Sequence, residues 1–264
     1  MNGGSSDGLL KRERVREHLL GLIEGRRPGD PVPSERTLCA ELEVSRPTLR
    51  AAVDELVATG LLVREHGRGT FVAPAKITQR LAPDDAAFTV PRASGTWSGT
   101  VLETTVRPAG ARIGRKLEMS PAAGLLCITR LRLVDGAPMA IEHLHIPAGL
   151  VPAPLATAEL EAGELYDHLR DNHGVRVEEA VQSVEPTVVG EAEAALLRVP
   201  VLSPALLIER LTRDSSGRPV EYVHSVYRGD RYRIVSRLDF THDGSPAPAP
   251  GAAGRDPGPR GNAY

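Results

Sequence analysis

A chain of 264 residues with 41% hydrophobic and 25% charged side chains has the material for two folded domains of ordinary size. A net charge of -2 excludes a blanket basic coat, so any affinity for nucleic acid must come from charges placed on one face. The two cysteines, Cys39 and Cys127, give no disulfide framework or metal-ligand spacing. The start Met-Asn-Gly-Gly-Ser-Ser-Asp has no secretory pattern and no apolar run reaches membrane-spanning length, so a soluble, cytoplasmic protein with no membrane partner is expected.

In chain order, residues 1–8 read as a flexible start. Val15, Leu19, Leu22 and Ile23 fall at i, i+4, i+7 and i+8 and predict an amphipathic helix over about residues 9–25, closed by Gly25 and the Pro28–Pro31 segment. Ser34 is placed to cap a second helix that faces inward through Leu38 and Leu42, with Cys39 as a small buried thiol. Ser45 caps a third, which tolerates Pro47 in its first turn, faces inward through Leu49, Val53, Leu56 and Val57, and stops at Gly60. Leu61–Glu65 and Thr70–Val72 read as short strands joined by His66-Gly67-Arg68-Gly69, a wing. Together these make a winged helix-turn-helix over residues 9–75.

That order of elements points to duplex DNA. Arg46, Thr48 and Arg50 sit in the first turns of the third helix and point away from its Leu49/Val53 stripe, where a recognition helix meets base edges. Arginine there suits bidentate bonding to guanine, while Ser45 and Thr48 suit phosphate or a thymine methyl. Arg36 is placed to grip the backbone. Arg68, between two glycines, suits the minor groove, with His66 and Gly67 beside it. Residues 1–76 hold 12 Lys/Arg against 11 Asp/Glu, so placement must do what bulk charge does not.

The run Pro33-Ser34-Glu35-Arg36, Leu42, Val44-Ser45-Arg46-Pro47-Thr48-Leu49-Arg50, Leu56, Gly60-Leu61 and Gly67-Arg68-Gly69-Thr70 resembles the DNA-binding module of GntR-family bacterial transcription regulators, over about residues 9–73. The resemblance implies homodimers on inverted-repeat operators and a C-terminal effector domain. It places DNA contacts at Arg36, Ser45, Arg46, Thr48, Arg50, His66, Gly67 and Arg68.

Residues 76–97, with Pro83, Pro91 and Gly95, read as a linker; 98–241 are mixed α and β; 242–264, rich in Gly, Pro and Ala, read as a disordered tail. Within 98–241 a weak repeat offset by about 80 residues aligns Cys127–Arg130, Gly136-Ala-Pro138 and Met139–Glu142 with Leu207–Arg210, Gly217-Arg-Pro219 and Val220-Glu221. Each copy reads helix end, strand, Gly-x-Pro turn, strand, as two hairpins of one antiparallel sheet would. Alternation puts Arg130 and Arg132 on one strand face; a three-residue loop would set Arg130 opposite Glu142 and Arg132 opposite Ala140. Two arginines beside a carboxylate suit an anionic or hydroxyl-rich ligand and equally suit a cross-strand ion pair. Glu221 and Tyr227 add an acceptor and a donor, and Arg228 and Asp230 are placed to pair with each other or with backbone. His143, His145 and His224 fix no third metal ligand by spacing and read as solvated or core histidines. No cofactor is implied.

Ile128–Arg132, Pro138–Glu142, Tyr166–Leu169 and Ser225–Tyr232 resemble the UTRA effector domain of HutC-type GntR regulators, a fold shared with chorismate lyase, and within it the amino-sugar regulators. The resemblance implies an α+β protein: an N-terminal winged helix-turn-helix and a C-terminal mixed α/β effector domain built on an antiparallel sheet. It implies a ligand-responsive regulator, a repressor, that binds a sugar or amino-sugar phosphate through Arg130, Arg132, Glu142, Glu221 and Tyr227. Where such relatives carry a phosphate-binding serine this chain has Glu164, and Val90-Pro91-Arg92 follows Phe88-Thr89 in place of a helix. A chorismate lyase-like enzyme and a constitutive DNA-binding protein with a C-terminal domain that only dimerises are the alternatives; residues 98–240 carry no nucleophile–base signature.

Overall fold

The structure, a computed structural model, describes residues 3–81, 95–151 and 165–236. Helix α1 (Gly3–Ile23) starts six residues before the apolar pattern does, so residues 3–8 are helical. Extending an existing helix adds one hydrogen bond per residue fixed, and no proline interrupts this stretch. Val15 and Leu19 of α1 meet Leu38 of α2 (Glu35–Leu42) and Leu49, Val53 and Leu56 of α3 (Arg46–Ala58) in one core, which Cys39 and Leu42 flank half-buried. Ser34 and Ser45 cap α2 and α3 by accepting from the amides of Thr37 and Thr48, at 3.2 and 3.4 Å. Strands β1 (Leu62–Glu65) and β2 (Gly69–Val72) form the wing hairpin, with Glu65 opposite Gly69.

The second half is a six-stranded antiparallel sheet in the order β4-β5-β6-β9-β8-β7. Its strands are β4 (Trp97–Pro108), β5 (Gly124–Val134), β6 (Ala137–Pro147), β7 (Val177–Val188), β8 (Pro204–Asp214) and β9 (Pro219–Arg228). The repeat is structural. β4–α4–β5–β6, with α4 at Gly110–Lys116, is matched by β7–α6–β8–β9, with α6 at Glu191–Leu197, and the two copies meet at β6 and β9. Equivalent details recur 80 residues apart: the left-handed residues Glu118 and Arg198 after the two helices, and ladder irregularities after Arg132 and after Thr212.

The sheet's two faces differ. α4 packs on one face through Ile113 and Leu117 against Leu125, Cys127 and Tyr222, and α6 packs on the same face through Ala194 and Leu197 against Ile141 and Val226. Helix α5 (Leu165–His173) covers part of the other face, against Ile128, Leu144 and Val223. The rest of that face lies under a two-stranded parallel sheet of β3 (Ile77–Leu81) and β10 (Tyr232–Ser236). Residues 77–81 are therefore not linker. The alternation Ile77-Thr78-Gln79 lets Ile77 bury beside Val134, Met139 and Tyr232, and its strand partner lies some 155 residues away in sequence. The tail at 242–264, Glu164 and the Phe88–Arg92 stretch lie outside the described residues.

Candidate DNA-reading surface and effector site

The recognition helix presents Arg46 and Arg50 to solvent, with Leu49 fully buried behind them. Ser45 and Thr48 share a hydroxyl–hydroxyl bond of 2.8 Å at the helix start. Arg36 and Arg46 are exposed and have no ion-pair partner among the described residues. The other two arginines are held by carboxylates: Arg50 Nε lies 2.9 Å from Glu35, and Arg68 pairs with Glu65 across the base of the wing while resting 5.5 Å over the Phe71 ring. His66, Gly67 and Arg68 form the exposed wing tip. Between that tip and the start of α2 lies a groove of about 600 Å³ lined by Ser34, Glu35, Arg64 and residues 65–71. Such a surface can seat a phosphate backbone while the α3 arginines face bases.

On the β3/β10 side of the large sheet, Arg130 stands directly opposite Glu142 and Arg132 opposite Ala140. The loop holds two residues, not three. Asp135 and Gly136 both take left-handed φ, 50° and 76°, the pattern of a tight hairpin turn. An extra residue on β6 at Met139, beside the ladder irregularity, then restores the one-residue offset that a longer loop would have given.

Arg130 Nε donates to Glu142 Oε2 at 2.6 Å, the Tyr227 hydroxyl donates to Oε1 at 2.9 Å, and Arg132 Nε lies 4.0 Å away. All four side chains are buried. Burial alone would push the Glu142 carboxyl up; the charges of Arg130 and Arg132 and the two hydrogen bonds outweigh it and bring it down to about 2. Burial, then the Glu142 charge, pushes the Tyr227 hydroxyl well above its usual range, so it stays a donor. Arg132 stacks 5.5 Å over Trp97, and its Nη1 and the Trp97 indole nitrogen are buried without a hydrogen-bond acceptor among the described residues.

Glu221 lies on the same face but in a second cluster. It accepts from the Tyr166 hydroxyl, and Arg210 Nη2 stands 3.8 Å from it. Thr212 completes the group with a 3.1 Å contact to Tyr166. Sequence reasoning singled out Glu221 but not Arg210, Thr212 or Trp97 as site residues. Arg210 was legible as the copy of Arg130 in the repeat; Trp97 had no pattern to mark it. Arg228 and Asp230 pair as expected, Nε to Oδ1 at 3.0 Å.

The three histidines fall on the opposite face, under α4. His143 faces His224 across β6 and β9, ring centroids 5.7 Å apart, and both line a cavity of about 470 Å³ with His145, Cys127 and Tyr222. Among the described residues no group of His, Cys, Asp or Glu is arranged to hold a metal ion.

Residues 11–72 match the family described as bacterial regulatory proteins, gntR family, and residues 93–233 match the UTRA domain. The chain is 34% identical to the HTH-type transcriptional repressor NagR of Bacillus subtilis, over 80% of its own length and 87% of that protein. It is 32% identical to the HTH-type transcriptional repressor PhnF of Mycolicibacterium smegmatis, over 89% of its own length and 96% of that protein. The crystal structure of PhnF from Mycobacterium smegmatis superposes with a TM-score of 0.58 at 28% identity, covering 86% of this chain and all of that one. These relatives are regulators, which sets aside the lyase reading, and GntR-family regulators bind operator DNA and small effectors. A winged helix followed by this duplicated sheet places the chain in the GntR family of bacterial transcriptional regulators, in the HutC-type branch whose effector half is a UTRA domain.

Proposed function

We propose that the protein is a cytoplasmic, homodimeric repressor that binds an inverted-repeat operator through Arg36, Ser45, Arg46, Thr48, Arg50, His66, Gly67 and Arg68, and is released by a sugar or amino-sugar phosphate held by Arg130, Arg132, Glu142, Glu221 and Tyr227. The observation that carries the ligand reading is the buried Arg132. Among the described residues, the carboxylate nearest to it is already engaged by Arg130 and Tyr227, and its Nη1 has no acceptor. A buried cation in that state favours an anionic ligand that supplies the missing acceptor. The names of NagR and PhnF describe repressors, which supports the direction of control.

Titration calorimetry of the full chain with glucosamine 6-phosphate and N-acetylglucosamine 6-phosphate, each beside its unphosphorylated parent, tests this. Binding of the phosphorylated forms alone, with loss of operator affinity, is the expected result. Equal binding of the neutral sugars removes the anion argument. An operator affinity that no bound metabolite changes supports the constitutive alternative.

A further inference from the structure

The turn between β9 and β10, Arg228-Gly229-Asp230-Arg231, is flanked by two tyrosines of the effector face. Tyr227 holds Glu142, its ring lies 4.5 Å from that of Tyr232, and Tyr232 in turn donates to Gln79 of β3. The turn is braced from within its own domain. The Arg228 Nη1 reaches the carbonyls of Pro138 and Leu197 at 3.3 and 3.4 Å, and the Gly229 amide donates to the Pro204 carbonyl at 3.0 Å. On its outer side the turn meets the winged helix. Gly60, which ends the recognition helix, has φ +76° and lies so close to Asp230 that a Cβ there would fall inside the Asp230 carbonyl oxygen. Around this contact is an unfilled cleft of about 560 Å³ between Val57 and Leu62 on one side and Val199 and Leu202 on the other. A close backbone contact ringed by open space behaves as a pivot, because few packed side chains resist rotation about it.

We infer that the Gly60–Asp230 contact is the joint through which the state of the effector site sets the orientation of the recognition helix. Displacement of Tyr227 when its Glu142 partner is recruited by ligand moves the Arg228–Arg231 turn, and the Asp230 carbonyl carries that movement to the end of α3. This rests on the effector reading of the Arg130/Arg132/Glu142 site, though not on which ligand fills it. Coupling of this kind requires that the two ends bias one shared element, here the turn.

Hydrogen exchange on the full-length chain, with no ligand added, tests the joint. Tyr227→Phe removes the hydroxyl that holds Glu142 and keeps the ring. The reporters are the amides of Thr59, Gly60 and Leu61, bonded to the carbonyls of Glu55, Val57 and Leu56. The expected result is a change of about fivefold or more in their exchange rates, the lower end of ordinary site-to-site coupling. Gly60→Asn adds a Cβ at the contact while asparagine tolerates the left-handed backbone, and in that background Tyr227→Phe should have no effect. Gly25→Asn serves as the strain control, since Gly25 has φ +75° and nothing within 4 Å of its would-be Cβ, and it should leave the response intact. Unchanged amides in Tyr227→Phe overturn the inference even if Gly60→Asn does not fold, and so does a response that survives Gly60→Asn or vanishes in Gly25→Asn. A failed sugar-phosphate titration beside an intact Tyr227 response would count against the ligand and not against the joint.

Discussion

Arg130 of β5 lies directly opposite Glu142 of β6, with its Nε 2.6 Å from the carboxylate, because one extra residue at Met139 offsets a two-residue turn. Without that irregularity a regular ladder would set Arg130 against Ile141 and send Glu142 to the other face of the sheet. The pair is buried, and Arg132 depends on the same carboxylate. Glu142→Gln therefore removes the buried carboxylate that Arg130 and Arg132 share. It should destabilise the domain by ~3–5 kcal/mol, the usual cost of breaking a buried pair from one side. Urea unfolding measures this, and a loss below about 1 kcal/mol, typical of an exposed pair, would show that the cluster is solvated.

Arg132→Met should behave in the opposite way. It removes a buried charge whose Nη1 bonds nothing among the described residues and leaves the Arg130–Glu142 bond in place, while the methionine stem still covers Trp97. The fold should keep or gain stability, and affinity for the anionic effector should fall by about 10- to 100-fold, the value of a charge-assisted hydrogen bond. Calorimetry and thermal unfolding on the same sample separate the two effects. A variant that loses stability and affinity in proportion would mean that Arg132 is structural.

The DNA face divides by how its arginines are held. Arg46 is exposed at the start of α3, so Arg46→Ala should cost ~1–3 kcal/mol of operator affinity and relax the preference at one base pair per half-site. Arg68 is paired with Glu65, so Glu65→Gln should free it for phosphate and steepen the salt dependence of binding to any duplex by up to about one unit of slope. Fluorescence anisotropy across a salt series reads both. An Arg46→Ala loss that is uniform over all sequences would place that residue on the backbone instead of a base.

Local rules carried most of what the sequence disclosed. Ser34 and Ser45 announce α2 and α3 because each hydroxyl accepts from an amide three residues on, and the Leu49/Val53/Leu56 stripe fixes which face of α3 is left for DNA. Alternation placed Arg130 and Arg132 together, and the pairing with Glu142 came out right although the loop is one residue shorter than supposed. Partners brought together only by topology were not legible. The β3–β10 pair joins Ile77 to Tyr232, Trp97 meets Arg132 from the edge strand, and Tyr166 reaches Glu221 from a helix on another layer. No spacing encodes these contacts, because the chain closes very long loops to make them.

Stability should fall with acid in two separate steps. Burial holds His143, His145 and His224 below the ordinary histidine value, with His224 adding to the effect at His143 and Glu209 opposing it at His224. The folded state then binds fewer protons than the unfolded chain, so this contribution is complete above the ordinary value of 6.5 and is lost as pH falls below it. Glu142 is brought down to about 2 from 4.5, so its contribution stands above 4.5 and is lost only as pH falls from there toward 2. Thermal unfolding from pH 7.5 to 3 should show a first decline below about pH 6.5, which is where histidine begins to titrate, and a second below the carboxylate value. His143→Gln combined with His224→Gln should make the first decline shallower, with His145 sustaining the remainder, and leave the second, while Glu142→Gln should make the second shallower, with Asp214, held at about 2 by its hydrogen bonds from Ser216 and Arg218, sustaining the remainder. A double histidine variant whose melting temperature falls between pH 7 and 5.5 as steeply as that of the parent would mean that these rings are protonated in the folded protein.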